Sequence, residues 1–292
     1  MQVAVFGRNF PSFARENIAI MFNRFKALNV DVWVYESFFE FLRKEAGLRP
    51  EVKGLFKNHD DLPGGIDFLF SLGGDGTFLD TVKLVRDSGI PVLGVNTGRL
   101  GFLSYISQEN MTESLESVFS GHFDIEERML LKVAVPGVDM DDLDVALNDV
   151  RIYKNSGSLI TIHVKVNDEF LSAYWADGLL LSTPTGSTAY NLSVGGPIVV
   201  PESNTFVLSP IAPHNLTVRP LVLPDTAVLQ MSVDTREGQF QLAIDSRTID
   251  LDVDAMVMIR KADYALKMVR IENISFYSTL RNKLMWGADK RN

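Results

Sequence analysis

The chain has 292 residues, 46% apolar and 22% charged, enough for two modest domains with separate cores. It has no cysteine, which excludes disulfides, thiolate nucleophiles and cysteine-held zinc, and fits a reducing compartment. A net charge of −9 argues against broad nucleic-acid or anionic-membrane binding. It leaves room for an anionic substrate, because backbone amides and a metal ion act locally.

No apolar run approaches the ~20 residues that span a bilayer. The first residues, Met1–Gly7, are expected to form a strand entering a glycine turn rather than a leader peptide. Val3–Phe6 reads as that strand. Phe13–Leu28 follows with Ile18, Met21, Phe22 and Phe25 at helical spacing. Val30–Tyr35 and Ile66–Leu72 read as strands, the latter ending in Gly73-Gly74. Phe78–Val85 reads as a helix and Val92–Val95 as another strand. Strands and helices alternating at this spacing predict βαβ units and a parallel, Rossmann-like sheet.

From about Met129 the pattern changes. Leu131–Val135, Val145–Tyr153, Ile160–Val166, Leu179–Ser182, Ala227–Val233 and Gln239–Ile244 are β-rich, punctuated by Asn167-Asp168 and Glu237-Gly238. These predict an all-β domain, closed or sandwiched. The expected division is an α/β domain over 1–125, a β-sandwich over 126–256, and a mixed carboxyl-terminal segment over 257–292 that packs back on the first domain.

Three constellations carry chemistry. Gly73-Gly74-Asp75-Gly76-Thr77 lies between an apolar strand and an amphipathic helix. Glycines there let the backbone approach a ligand, and the following helix offers unpaired N–H groups to a phosphate, with Gly74, Gly76 and Thr77 as phosphate-binding candidates. Asp75 would project into the crevice at the carboxyl edge of the sheet. The plainer alternative is a strand-to-helix turn with Asp75 as helix cap. No Gly-x-Gly-x-x-Gly follows the first strand and no P-loop occurs, which disfavours Rossmann dehydrogenases and P-loop NTPases.

The second runs from Asp177 through Thr183, Thr185, Ser187, Thr188 and Tyr190, a hydroxyl-dense loop able to hold sugar hydroxyls or a purine edge, or else a polar surface turn. The third is Asn148-Asp149, a polar pair interrupting a strand pattern, which alone reads as a turn or bulge. His59, His122, His163 and His214 show no metal-ligand spacing. The acidic run Asp139–Asp144 reads as a solvated loop.

In this order the pieces resemble the NAD kinase family. Gly73–Thr77 matches its glycine-aspartate motif, which diacylglycerol kinases and 6-phosphofructokinases share. Ala176 through Tyr190, continuing to Ile198, looks like the signature that separates NAD kinases from those lipid and sugar kinases. Asn96–Leu103 and Pro210–Leu221 match further family segments. The resemblance implies an α/β amino-terminal domain, an all-β sandwich carboxyl-terminal domain and an active site between them. It implies ATP as donor, Mg²⁺ or another divalent cation, and a cytoplasmic homodimer or homotetramer that meets neither nucleic acid nor membrane.

By position, Asp75 matches the aspartate that accepts the 2′-hydroxyl proton, and Gly76 and Phe102 border the dinucleotide. Asn148 and Asp149 match the pair on ribose and adenine, where the acid is commonly glutamate. Asp177 falls near the nicotinamide half. Thr185 and Thr188, Ala189, Tyr190, Asn191, Leu192 and Ser193 line the adenosine pocket, and Ala212 offers backbone contacts. Three positions depart from the pattern. Trp175 and Asp80 stand where relatives often carry a basic residue, and Arg247 stands near where a glutamine is common. Trp175 bears on phosphate charge and on acceptance of NADH, and Arg247 is expected to restore some positive charge. The competing expectations are a lipid or sugar kinase of the same superfamily and a non-catalytic NADP-binding sensor.

Overall fold

The computed structural model describes residues 1–98, 101–106, 110–141, 144–155, 157–271 and 275–286. The chain forms two compact units, one of residues 1–127 with 266–292, the other of 128–265.

In the first unit the strands are β1 (Gln2–Gly7), β2 (Asp31–Tyr35), β3 (Gly54–Phe56), β4 (Phe68–Leu72) and β5 (Val92–Val95). The helices are α1 (Arg15–Ala27), α2 (Glu36–Lys44), α3 (Asp75–Val85) and α4 (Met111–Phe119), with α5 (Phe276–Leu284) near the carboxyl terminus. The sheet is parallel in the order β5-β4-β1-β2-β3, and the carboxyl end of β17 (Val257–Ile271) joins it beside β5 through Met268 and Val92. β1 and β4 are buried along nearly their whole length, as expected of strands covered by helices on both faces. Val3, Val5, Phe70 and Leu93 pack with Ile18, Met21 and Phe25 of α1 and with Leu115 and Val118 of α4.

The chain runs outward from β1 to β2 and β3, then returns to β4 on the other side of β1. The carboxyl ends of β1 and β4 therefore flank the point where strand order reverses, the place where open α/β sheets bind ligands.

The second unit is a β-sandwich. One antiparallel sheet has the order β13 (Leu221–Pro224), β12 (Thr205–Ile211), β11 (Gly178–Ser182), β8 (Asp149–Tyr153), β15 (Gln239–Ile244), β16 (Arg247–Asp252). The facing sheet runs β10 (Glu169–Ala176), β9 (Ile160–Val166), β14 (Leu229–Asp234) and the start of β17, with β6 (Phe123–Ala134) and β7 (Val145–Ala146) alongside. Alternate residues point inward from both sheets, so Ile160, Ile162 and Val164 share one core with Val150, Ile152, Leu179, Phe206 and Phe240. Asn167 and Asp168 both take positive φ, 49° and 66°, which makes their hairpin turn. Between β7 and β8 the ladder breaks at Leu147-Asn148, where the polar pair begins.

Two departures from the predicted elements matter for the site. α3 starts at Asp75 rather than Phe78, which places the aspartate in the first helical turn. The Val145–Tyr153 run is two strands with a loop between them, so Asn148 is on that loop and Asp149 at the mouth of β8.

Phe240 is fully buried in the sandwich core. Phe240→Ala is expected to cost about 3–5 kcal/mol, read as a lowered urea midpoint. A change below about 1 kcal/mol would mean that the two sheets do not share this core.

Candidate active site

Asp75 is held, not loose. β4 is an apolar strand that stops at Gly73-Gly74, and Gly74 is the N-cap of α3 without any side-chain cap bond. The Asp75 carboxylate turns away from its own helix. One oxygen accepts the Phe102 amide at 2.9 Å and the other the Leu103 amide at 3.1 Å. The helix-cap alternative therefore does not describe this aspartate. Residues 101–106 are in turn fastened to β5, with Asn96 N–H donating to Ile106 at 2.8 Å and Ile106 N–H donating to Gly94 at 3.2 Å. The grip leaves no space at Gly101: a Cβ there would lie 1.7 Å from a carboxylate oxygen of Asp75. Gly101 is thus required by a side chain 26 positions earlier, not by a turn. Gly74 and Gly76 are exposed beside Asp75, while Thr77 is buried, and Phe102 is half-buried. Arg99 and Leu100 lie outside the described residues.

In the second unit a buried carboxylate organises the predicted polar pair. Asp245 sits in the two-residue turn between β15 and β16 with φ +52°. Its oxygens accept the amides of Leu147 at 2.9 Å, Asn148 at 2.8 Å and Asp149 at 3.1 Å. Three charge-assisted bonds from consecutive amides fix the loop. Burial pushes the Asp245 carboxyl up, against the pull of those amides and of Arg247. Burial likewise pushes Asp149 up to about 7, opposed by the Arg151 guanidinium whose Nε lies 2.9 Å away, and aided by the Asp245 charge.

The hydroxyl-rich loop closes on the same place. Thr183 Oγ1 donates to the Leu147 carbonyl at 2.6 Å and accepts the Gly186 amide at 3.0 Å. Gly186 passes so near that a Cβ would lie 2.0 Å from the Asn148 carbonyl oxygen. Thr185, buried, has a hydroxyl with no partner among the described residues. Thr188, Ala189 and Leu192 are half-buried and Ser193 is exposed. Arg151 lies 5.0 Å from the Tyr190 ring centroid, a cation–π contact that ties that ring to Asp149. Asn191 is committed internally: its amide donates to the Ser187 and Pro197 carbonyls, and its oxygen accepts the Ser209 hydroxyl at 2.7 Å.

Where β10 passes into β11 a second group forms. Asp177 receives Lys154 at 2.6 Å. Trp175, half exposed, packs on His214 with ring centroids 4.3 Å apart, and Ala212 takes φ +44°, rare for a residue with a Cβ. Arg247 donates to the carbonyls of Val145 and Ile244, so its guanidinium braces the loop that Asp245 holds. Sequence reasoning overlooked Gly101, Asp245 and Arg151. A two-residue Asp-Ser turn reads as surface, and nothing local signals that this aspartate is buried.

Within the first unit the structure thus gathers Gly74, Asp75, Gly76, Thr77 and Phe102. Within the second it gathers Asn148, Asp149, Thr185 and Tyr190, and separately Trp175 and Asp177, where β10 passes into β11, with Ala212 just after β12. Among the described residues no three His, Asp or Glu form a metal cage. A clamped carboxylate in a glycine turn at a sheet reversal is equipment for moving a phosphoryl group to an alcohol.

Comparison with known proteins narrows this class. Residues 20–123 match the ATP-NAD kinase N-terminal domain and residues 147–271 the ATP-NAD kinase C-terminal domain. NAD kinases of Flavobacterium psychrophilum and Bacteroides fragilis are 42% and 40% identical, each over the whole of both chains. A yeast NADH kinase complexed with NADH superposes with a TM-score of 0.86 at 26% identity, covering 99% of this chain and 89% of the other. An Archaeoglobus fulgidus NAD kinase in complex with ATP shares the fold, with a TM-score of 0.72 at 24% identity over 98% and 99%. The chain belongs to the NAD kinase family.

The raised Asp149 carboxyl has a consequence for stability. Folding lifts it from the ordinary 3.8 to about 7, so the folded protein holds a proton that the unfolded chain releases. That contribution is complete below about pH 4 and is lost as pH rises through about 7. Asp149→Asn is expected to flatten this part of the curve: the stability of the parent relative to the variant, read from urea midpoints, falls between pH 4.5 and pH 7.5, by ~1 kcal/mol or more. Parallel curves would show that Asp149 is ionised throughout.

Proposed function

We propose that the chain phosphorylates the 2′-hydroxyl of the adenosine ribose of NAD with ATP, giving NADP and ADP. The observation that carries the reading is the Asp75 carboxylate clamped by the Phe102 and Leu103 amides. Asp75 takes the hydroxyl proton as the ribose oxygen bonds to the γ-phosphorus and the bond to the β-phosphate oxygen breaks. In a loose transition state the nucleophile needs alignment more than deprotonation, so the proton leaves late and a rigidly placed carboxylate suffices. A wandering carboxylate would forfeit that alignment.

In this reading Gly74, Gly76 and Thr77 face phosphate oxygens and Phe102 borders the dinucleotide. Asn148 and Asp149 hold ribose and adenine, and a protonated Asp149 can donate as well as accept. Thr185 and the 188–193 segment line the adenosine pocket, where the unpartnered Thr185 hydroxyl is free for a ligand. Asn191 supports this wall from behind. Trp175 and Asp177 lie toward nicotinamide, Ala212 contributes backbone, and Arg247 acts through the loop it braces.

Mg²⁺ is the proposed cation. Carried on donor phosphates it keeps mostly water and phosphate ligands and asks little of the protein. Asp75 suits that demand, since each oxygen accepts one amide and retains a lone pair. When bound, the ion offsets charge on the transferring phosphates. A cytoplasmic homodimer or homotetramer completes the proposal. No described helix is long and apolar enough to cross a membrane. A lipid or sugar kinase is disfavoured because the family match extends over residues 147–271, including the hydroxyl-rich loop.

A coupled assay with NAD, ATP and Mg²⁺ is expected to yield NADP, and chelation to stop it. Asp75→Asn is expected to lose about 10²–10⁴-fold in kcat while NAD still binds. Gly101→Ala is expected to lower kcat by at least ~10-fold with KM for NAD little changed, because the new methyl displaces Asp75 and not the nucleotide. Full turnover in Asp75→Asn would remove the aspartate from the chemistry.

A further inference from the structure

Within the second unit, Arg151 joins parts of the site that arrive from different stretches of chain. In β8 successive side chains alternate, so Val150 and Ile152 enter the sandwich core while Asp149 and Arg151 share the opposite face. From there the Arg151 guanidinium reaches three places. Its Nε lies 2.9 Å from Asp149 Oδ1, and its Nη2 donates to the Asp245 carbonyl at 2.5 Å. Its central carbon stands 5.0 Å from the Tyr190 ring centroid. Tyr190 is 40% exposed, so that ring keeps surface for a ligand.

The pairing with Asp149 is not that of a closed structural bridge. Arginine and carboxylate pair most strongly through two parallel, aligned hydrogen bonds. Here Arg151 Nε and Asp149 Oδ1 are both buried and neither makes an aligned hydrogen bond among the described residues. The guanidinium supplies its charge at contact distance and leaves the carboxylate oxygen able to accept from something else. Thr185, on the facing loop, has a buried hydroxyl in the same condition. Buried polar atoms left open on adjoining segments call for a ligand.

We propose that Arg151 is a positioning residue for the acceptor: one guanidinium keeps the Asp149 carboxylate in its charged, accepting form and holds the Tyr190 ring beside it. The proposal rests on the reading of this pocket as the NAD site. An ionised carboxylate takes hydrogen bonds from sugar hydroxyls or a base amine more strongly than a neutral one. Burial and the Asp245 charge favour the neutral form of Asp149, and the Arg151 charge opposes them. The other charged or titratable groups turned to this place are Arg247, beside Asp245, and Tyr190 itself. The strands flanking β8 bring none, since β11 is Gly-Leu-Leu-Leu-Ser and β15 is Gln-Phe-Gln-Leu-Ala-Ile. Without Arg151, Asp149 keeps its proton to higher pH, and the acceptor meets a weaker partner.

The test is calorimetric titration of the full chain with NAD between about pH 5.5 and 9, a range in which the dinucleotide keeps its own charge. In the parent, NAD affinity is expected to fall as pH drops through about 7, and Asp149→Asn to abolish this acid limb. Arg151→Met, similar in length and uncharged, is expected to move the limb up by about 1 pH unit or more and to weaken NAD about 10-fold at neutral pH. Arg151→Lys keeps the charge without the planar fork, so its limb is expected within about half a unit of the parent while NAD weakens at every pH. The limb is read as a pH of half-effect, so partial unfolding of a variant does not imitate its shift. A limb unmoved in Arg151→Met, or moved as far in Arg151→Lys, overturns the proposal, and so does a limb that survives Asp149→Asn. Uniform weakening in Arg151→Met with the limb in place shows a brace and nothing more, which also overturns it. An unweakened Arg151→Lys overturns the part assigned to Tyr190. NADP formation, assayed in parallel, separates the two readings. A chain that makes NADP with an unmoved limb loses only the role of Arg151, and one that binds NAD through an Arg151-dependent limb yet makes no NADP loses only the kinase reading.

Discussion

The arrangement depends on one carboxylate held by two backbone amides. A charge-assisted grip on Asp75 is possible only because the loop bearing Phe102 and Leu103 is tied to β5, and because residue 101 has no side chain. Packing sets the rest. β4 and β5 lie adjacent in register, Leu69 beside Val92 and Leu72 beside Val95, so the turn after one strand and the loop after the other emerge together. The geometry of the clamp is therefore a property of the sheet and not of the glycine motif alone. Precision of this kind supplies the alignment on which phosphoryl transfer depends.

The second unit uses the same device with the chemistry inverted. There the organising carboxylate, Asp245, is itself buried, and the residues it positions face the proposed ligand. Burial of two neighbouring aspartates is costly unless each is hydrogen-bonded or shares its charge. Three amides answer for Asp245 and Arg151 for Asp149. The residual strain appears as the raised Asp149 carboxyl, a titrating group placed where a base or sugar hydroxyl is proposed to bind.

Much of the fold was legible where local pattern and tertiary role agree. β5, β9 and β15 have the bounds that their apolar runs and alternations predict. β6 was half hidden, because Asp124, Glu126 and Glu127 break its apolar character before Met129. The charges of Asp124 and Glu126 are met by Arg270, 2.6 Å from the first and 3.1 Å from the second, and that partner lies far along the chain. β10 escaped notice since most of its residues are exposed, and α2 since its aromatic run Phe38, Phe39 and Phe41 resembles a strand. At the site, Asp75 was legible as a residue type between glycines. Its partners stand 27 and 28 positions away, and those of Asp245 stand 96 to 98 away, distances over which no periodicity carries information.

The most direct measurement is a crystal structure of the full chain with NAD bound. The distance from the Asp75 carboxylate to the 2′-oxygen of the adenosine ribose should fall within hydrogen-bond reach, roughly 2.6–3.2 Å, with the Phe102 and Leu103 amides still on the carboxylate. A ribose bound beyond reach of Asp75, with the carboxylate facing no hydroxyl, would contradict the account.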